Sequence, residues 1–316
     1  MSTTKMKSHL EQQAISISAV ERETGVSKDT LRIWERRYGF PQPKRDVGGD
    51  RLYPYTQVDR LRMIKRLIDA GLRPGKLIPC TDKRLLELAE ECVQPAPSHE
   101  NAHELERFLA LIKKHQGQEL KKLFHHQLMR GGLHQFVIDT VAPLNVMVGE
   151  AWMRGDLEIF EEHLYTELTL GVLRNAISAV QFTGQPPKIL LTTFPNEQHA
   201  LGLVMVEAIL TSEAADVVPL GTQTPISNIA TAAVAHQADI VGISFSGAYP
   251  VNLISRGLRD LRNILPEHVA LWAGGTGVAQ LRRPPEQVTL LRSLPATEQA
   301  ISDWRARHVP AAASAP

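Results

Sequence analysis

The rhythm of apolar and polar positions changes twice along the chain. Up to about Ile68, apolar residues come in short clusters divided by turn chemistry. Ile15-Ser16-Ile17-Ser18-Ala19-Val20 predicts the start of a short helix running to Glu23-Thr24, and Gly25 permits a tight turn. Ser27 is placed to cap a second helix, Lys28 to Tyr38, with Asp29 in its positive first turn. Gly48-Gly49-Asp50 ahead of Arg51-Leu52-Tyr53 predicts a β-hairpin wing. Thr56 can cap a further helix with Val58, Leu61, Ile64, Leu67 and Ile68 on one side, before Pro74 and Pro79 interrupt. From residue 100 the helical i, i+3, i+4, i+7 rule takes over. Leu105, Phe108, Leu109 and Ile112 follow it, as do Leu120, Leu123, Phe124 and Leu128. Gly131-Gly132 separates these from a helix through Phe136, Val137, Val141 and Leu144, and a last helix runs from Leu157 to Gln181. Short links between four helices predict an antiparallel bundle. From Lys188 short apolar strands alternate with helices. The strands are Ile189–Thr192, Val217–Leu220, Ile240–Ser244, Val269–Ala273 and Val288–Leu291; the helices cover 198–212, 225–237, 250–264, 276–282 and 297–306. Near-continuous apolar strands in βα alternation predict a doubly wound parallel sheet. The chain therefore reads as multidomain: a disordered start (1–13), a winged helix-turn-helix (14–92), a Pro-rich linker (93–99), a four-helix bundle (100–183), an α/β domain (184–306) and a flexible tail (307–316).

Charge sharpens this division. The whole chain has 35 Lys+Arg against 34 Asp+Glu, yet residues 1–77 hold 16 basic and 9 acidic side chains. A basic module on an acidic body points to a polyanion partner at one end. Two cysteines, Cys80 and Cys92, cannot build a disulfide scaffold or a four-cysteine zinc site. No run of about 18 apolar residues is present for a membrane span. The lysines of the first residues have no apolar stretch behind them, so no signal peptide is read there. A cytoplasmic protein is expected.

In the first module, two short helices joined by a Gly-containing turn, the second basic, form a helix-turn-helix pattern. Lys28, Arg32, Arg36, Arg37, Lys44, Arg45, Arg51 and Tyr53 are the candidates for contact with double-stranded DNA. Gly25-Val26-Ser27, Thr30-Leu31-Arg32-Ile33-Trp34-Glu35-Arg36, the Pro41/Pro43 segment and Arg51-Leu52-Tyr53 resemble the MerR family of transcription regulators over residues 14–80. That resemblance implies a winged helix that binds DNA as a dimer.

Three constellations follow. His99-Glu100-Asn101-Ala102-His103 has the H-E-x-x-H spacing of zinc proteases, but it stands just after Pro97-Ser98 with no further ligand or cleft evident, and a solvated first turn is the better reading. Trp152 is followed ten and eleven positions later by Glu162 and His163. A single helix would put Trp152 and His163 on one face, whereas Gly155-Asp156 suggests a break and a meeting across a corner. The plain alternative is a core Trp and a boundary His. The third constellation is the exit of the first α/β strand, Glu197-Gln198-His199-Ala200-Leu201-Gly202. There an imidazole can bind a metal while Glu197 orients its other nitrogen, or it can simply cap a helix.

Ser244-Phe245-Ser246-Gly247 and Gly274-Gly275-Thr276-Gly277 at two further strand exits give that loop its context. Together they resemble the cobalamin-binding domain that takes its cofactor with a histidine below cobalt. The resemblance assigns Glu197, His199 and Gly202 to the lower ligand motif, with His199 on cobalt. It assigns Ser244 and Ser246 to the nucleotide-tail pocket, Ser246 standing where Leu or Thr is usual, and Gly274-Gly275 to the passage of the tail. Trp152 with Glu162-His163 matches the signature of light-sensing members, in which a helical bundle caps the cofactor's upper face. Joined to the MerR-type module, the whole plan resembles the CarH/LitR family of light-sensing repressors. It implies adenosylcobalamin, a tetramer gripping operator DNA in the dark, and release after light cleaves the cobalt–carbon bond. One departure stands out: a histidine follows the signature Trp in well-known members, and here that position is Met153. A thioether is a softer, weaker ligand for oxidised cobalt than imidazole. A corrinoid methyl carrier, a light-independent cobalamin sensor and a regulator that no longer binds cofactor remain alternatives.

Overall fold

The computed structural model describes residues 14–46, 48–69, 72–92, 102–181, 184–281, 283 and 285–308. The expected disordered start, the linker and most of the expected tail lie outside these residues. By contacts the chain divides into two units. One is the N-terminal module together with Gly149–Ile159, and the other is Ser98–Val148 with Phe160 onward.

In the first unit, β1 (Ala14–Ser16), β2 (Lys44–Arg45) and β3 (Arg51–Pro54) form a three-stranded antiparallel sheet in the order β1-β3-β2. The sequence pattern predicts helix from Ile15. The structure instead pairs Ile15 with Tyr53, and α1 (Ile17–Thr24) begins only after Ser16, whose hydroxyl accepts from the Ala19 amide at 3.3 Å. An extended cap residue is what lets the strand turn into the helix. After Gly25, Ser27 caps α2 (Lys28–Tyr38) by accepting from Thr30 N at 3.2 Å. Gly39, at φ 69°, closes that helix with a bond to the Glu35 carbonyl. Next come α3 (Tyr55–Asp69), the short α4 (Pro74–Leu77) and α5 (Asp82–Cys92). Val20, Val26, Leu31, Trp34, Tyr53, Val58, Leu61, Ile64 and Leu67 form their shared core.

The second unit opens with helices α6 (Ala102–Lys113) and α7 (Gly117–Gln135). Gly132, at φ 72° and ψ 178°, breaks α7 inside its last turn, as the glycine pair predicts. A π-helical turn, Phe136–Val141, leads into α8 (Ala142–Arg154), whose last residues cluster with the first unit, and α9 (Ile159–Ala179) completes the set. Phe108 stacks on Phe124 at 5.0 Å between ring centroids, and Phe136 meets Phe124 edge-on at 5.8 Å.

Five parallel strands follow: β4 (Gln185–Thr192), β5 (Ala215–Pro219), β6 (Ile240–Ser244), β7 (Ala270–Gly274) and β8 (Val288–Leu291), in the order β5-β4-β6-β7-β8. Helices α10 (Leu201–Ser212) and α13 (Leu294–His308) cover one face through Leu203, Leu210, Ile301 and Trp304. Helices α11 (Ile226–Ala235) and α12 (Val251–Ile264) cover the other through Ile229, Ala233, Ile254 and Leu258. The helix expected over 276–282 is a 3-10 turn, Thr276–Gln280, because Gly275 and Gly277 hold it against the Phe245-Ser246 backbone. The strand order reverses between β4 and β6. Connections leaving those two strands diverge to opposite faces and open a crevice at their carboxyl ends. Among the described residues, no helix is long and apolar enough to cross a membrane.

Candidate functional site

On the N-terminal module, α2 buries Leu31 and Trp34 and turns Asp29, Arg32, Ile33, Arg36 and Arg37 outward. These five recur at i, i+3, i+4, i+7 and i+8, one continuous stripe. Arg32 pairs with Asp29 at 3.1 Å and Lys28 with Glu21 at 3.5 Å. Arg37 lies over the Tyr38 ring at 5.3 Å. In the wing, Lys44 is exposed, and the Arg45 guanidinium donates to the Gly49 carbonyl at 2.8 Å.

Tyr53 corrects the sequence reading. It is fully buried, and its hydroxyl donates to Glu35 Oε1 at 2.6 Å. Burial first, then the Glu35 carboxylate, pushes its pKa above the usual phenol range. From there it cannot touch DNA; an aromatic beside basic residues signals nucleic acid only if it is exposed. Arg51 is drawn to the same carboxylate, its Nε donating to Glu35 Oε2 at 3.0 Å. Both residues build the wing's footing.

At the crevice of the α/β domain, the β4 exit places Glu197 and His199, and the β6 exit places Ser244 and Ser246. Glu197 is 1% exposed, yet its carboxylate collects four donors. His199 N donates at 3.1 Å and His199 Nδ1 at 2.7 Å, both to Oε1. Ser246 N at 2.9 Å and Ser246 Oγ at 2.8 Å donate to Oε2. Burial pushes the Glu197 carboxyl up, but these hydrogen bonds outweigh it and hold the pKa below the ordinary glutamate value. A charged Glu197 takes its proton-bearing partner from Nδ1, which makes Nε2 the lone-pair nitrogen of an imidazole that is 63% exposed. An imidazole oriented by a carboxylate in this way could hold a metal ion. The loop is pinned elsewhere as well. Thr193 Oγ1 donates to the Glu197 carbonyl at 2.7 Å, and Tyr249 OH donates to the Pro195 carbonyl at 3.1 Å.

The glycines differ in what they do. A Cβ on Gly275, at φ +92°, would lie 2.2 Å from the Phe245 carbonyl oxygen, so the chain's own backbone demands glycine there. Gly277 is crowded too, 2.6 Å from the Ser246 oxygen, whereas Gly274 would meet Leu291 O at 3.4 Å. Gly202 would meet only Ser244 Oγ, at 3.6 Å, an ordinary contact. A cavity of about 540 Å3 opens beside Ala200. Arg174 of α9, Leu203, Val204 and Glu207 of α10, and Gly221 after β5 line it. Burial raises the Glu207 pKa against the opposing Arg174 charge.

The remaining candidates fall in separate places. In α9, Glu162 accepts from Thr166 Oγ1 at 2.7 Å and stands 3.7 Å from His163 Nε2. The chain does break at Gly155, as its sequence suggests, and Trp152 sits in the last turn of α8. There it meets a partner that sequence reasoning missed: the Arg66 guanidinium of α3 stacks 4.9 Å from the Trp152 ring centroid. Arg66 Nε is buried without an acceptor, and burial lowers the arginine's pKa while Glu158 opposes the shift. The Met153 side chain lies outside the described residues, as do His99 and Glu100 of the H-E-x-x-H match. His103 is exposed. Among the described residues, no group of three or more His, Cys, Asp or Glu is placed to hold a metal ion. Two roles carried no advance signal: Ser246 as second donor to Glu197, and Arg66 on Trp152. Each joins residues far apart in the chain.

Comparison with known proteins places these sites in context. Residues 15–77 match the MerR HTH family of regulatory proteins, and residues 187–284 match the B12 binding domain. Over 259 residues the chain is 29% identical to the HTH-type transcriptional repressor CarH of Myxococcus xanthus, spanning 79% of this chain and 85% of that protein. It is 28% identical over 270 residues to the repressor CarA of the same organism, spanning 84% and 88%. Both relatives are named as transcriptional repressors. The monomethylamine corrinoid protein of Methanosarcina barkeri superposes with a TM-score of 0.52 at 12% identity, covering 64% of this chain and 99% of that one, a likeness of fold.

Proposed function

We propose that this chain, a MerR-type helix-turn-helix module with a C-terminal B12-binding domain resembling CarH- and CarA-type repressors, is a transcriptional repressor whose grip on operator DNA is set by adenosylcobalamin and light. The observation that carries this reading is the His199–Glu197–Ser246 relay at the sheet's crevice, in the same chain as an arginine-striped recognition helix. The donor set fits a corrinoid: one exposed imidazole with its tautomer fixed, a buried carboxylate behind it, and open volume beside Ala200. When bound, adenosylcobalamin supplies a cobalt centre and a light-labile cobalt–carbon bond.

In this reading His199 would hold the cobalt through Nε2. Glu197 keeps the imidazole in the coordinating tautomer, and Ser246 keeps Glu197 charged and in place. Ser244, Gly202, Gly274 and Gly275 would border the nucleotide tail. Trp152, Met153, Glu162 and His163 are the residues that the resemblance assigns to the adenosyl group. The loaded protein assembles in the dark, as a tetramer, and its modules grip DNA through Lys28, Arg32, Arg36, Arg37, Lys44 and Arg45. Tethering several weak readers raises avidity without new contacts. After illumination the assembly falls apart and repression ends, an oligomer equilibrium shifted by differential affinity.

Met153 favours a second reading. With a thioether where an imidazole would stand, this chain responds to the presence of the cofactor more than to light. One experiment separates the two. Size-exclusion chromatography with adenosylcobalamin, in the dark and after illumination, is followed by visible absorbance and a gel shift. Light-dependent dissociation supports the first reading. A cofactor-dependent assembly that ignores light supports the second. Protein that stays colourless sinks both.

A further inference from the structure

We infer that Ile33 reads sequence: in the major groove it lays its apolar side chain against the 5-methyl group of a thymine. The inference rests on the DNA-binding reading of α2 and deepens it. Ile33 is 47% exposed, and single exposed apolar residues are ordinary on any surface. Its position is not ordinary. Asp29, Arg32, Arg36 and Arg37 complete the outward stripe, so Ile33 is an uncharged island in the middle of a face that is otherwise wholly charged. Leu31 and Trp34 already anchor the helix to its core, so packing makes no demand on Ile33.

The chemistry of the groove narrows what it can do there. Arginines can take phosphate oxygens or guanine edges. An isoleucine makes no hydrogen bond, and among the groups exposed in the major groove only the thymine methyl is apolar. A β-branched side chain on a helix also has essentially one χ1 rotamer, so little entropy is lost when it is pressed against a base. Arg32 and Arg36, one turn apart on either side, would fix the register by their charge and leave Ile33 aimed at base edges. Ile33 is then the residue that turns a salt-sensitive grip into a preference for thymine at one position of each half-site.

The test uses the full-length protein and deoxyuridine, which differs from thymidine by the single methyl. Duplexes retained by the protein are enriched from a random pool, and each recurring thymine in them is replaced by deoxyuridine in turn. At one position of each half-site the loss of the methyl should weaken binding by about fourfold, the worth of one buried methylene-sized group. In Ile33→Ala that penalty should vanish, while Ile33→Val keeps most of it. The salt dependence of Ile33→Ala should equal that of the wild type, whereas Arg36→Ala should lower the slope by about one. A thermal melt identical to wild type shows that the exposed substitution leaves the module folded. A deoxyuridine penalty that persists undiminished in Ile33→Ala, or no position at which the methyl matters, overturns the assignment. Failure to enrich any duplex would instead bring down the DNA-binding reading, and this inference with it.

Discussion

Glu35 in the N-terminal module and Glu197 in the α/β domain each gather donors from another stretch of chain. Glu35 takes Arg51 Nε at 3.0 Å and the Tyr53 hydroxyl at 2.6 Å; Glu197 takes two bonds from His199 and two from Ser246. The difference lies in what each donor has left over. Tyr53 is buried, so that contact ends in the core and fastens the wing to the recognition helix. The His199 imidazole is largely exposed and carries a second ring nitrogen besides the one bonded to Glu197. The same hydrogen-bonding chemistry serves both places, and what separates them is that Tyr53 uses its single polar atom inside the core, whereas the exposed His199 ring has a second nitrogen.

Breaking each arrangement tests this contrast. The largest effect is expected from His199→Ala, which should weaken corrinoid binding by more than about 100-fold, beyond the cost of losing an orienting partner. A visible-absorbance titration measures it, and unchanged affinity would remove the ligand role. Next, Glu197→Gln should cost about 10–100-fold in the same titration. Glu35→Gln should leave corrinoid binding untouched and destabilise the module by about 1.5–3 kcal/mol, as expected for bonds to a charged group, in denaturant unfolding. Corrinoid binding that responds to Glu35→Gln would erase the distinction between the two carboxylates.

Two glycines sharpen the contrast at smaller magnitude. Gly275→Ala meets both a positive φ and a backbone oxygen at 2.2 Å, and should cost about 3 kcal/mol, the upper end for local strain. Gly39→Ala has the positive φ and no neighbour within 4 Å, and should cost about 1 kcal/mol. Comparable melting shifts for the two would show that the close approach to Phe245 relaxes. The smallest effect is on the acid limb of stability. The Glu197 pKa is lowered on folding, so its contribution is present above the ordinary value of 4.5 and is lost as pH falls through the lower folded value. Glu197→Gln should flatten that part of the stability–pH profile, and an unchanged slope would mean that the carboxyl is not held charged.

Much of this was legible in the residues. Ile240–Ser244 and Val288–Leu291 are strands at the predicted bounds, because buried parallel strands are unbroken apolar runs between turn signals. Helix α2 was equally plain, with Ser27 and Gly39 at its two ends. Strand β1 was not, since its three residues acquire extended structure only by pairing with β3, some forty positions away. Tyr53 was misassigned because its hydrophobic face and its polar tip are both compatible with a DNA contact until Glu35 is known to lie beside it.

Local preference therefore determined most of the elements, β1 and the turn over Thr276–Gln280 excepted, and the loop that carries His199, because turns, caps and apolar periodicity act over a few residues. The tertiary structure alone decided that Ser246 would complete the relay, that Tyr53 would be buried and that Arg66 would stack on Trp152. Those contacts depend on which strand exits become neighbours and which helix faces meet, and such long-range packing leaves no periodic trace in a single chain.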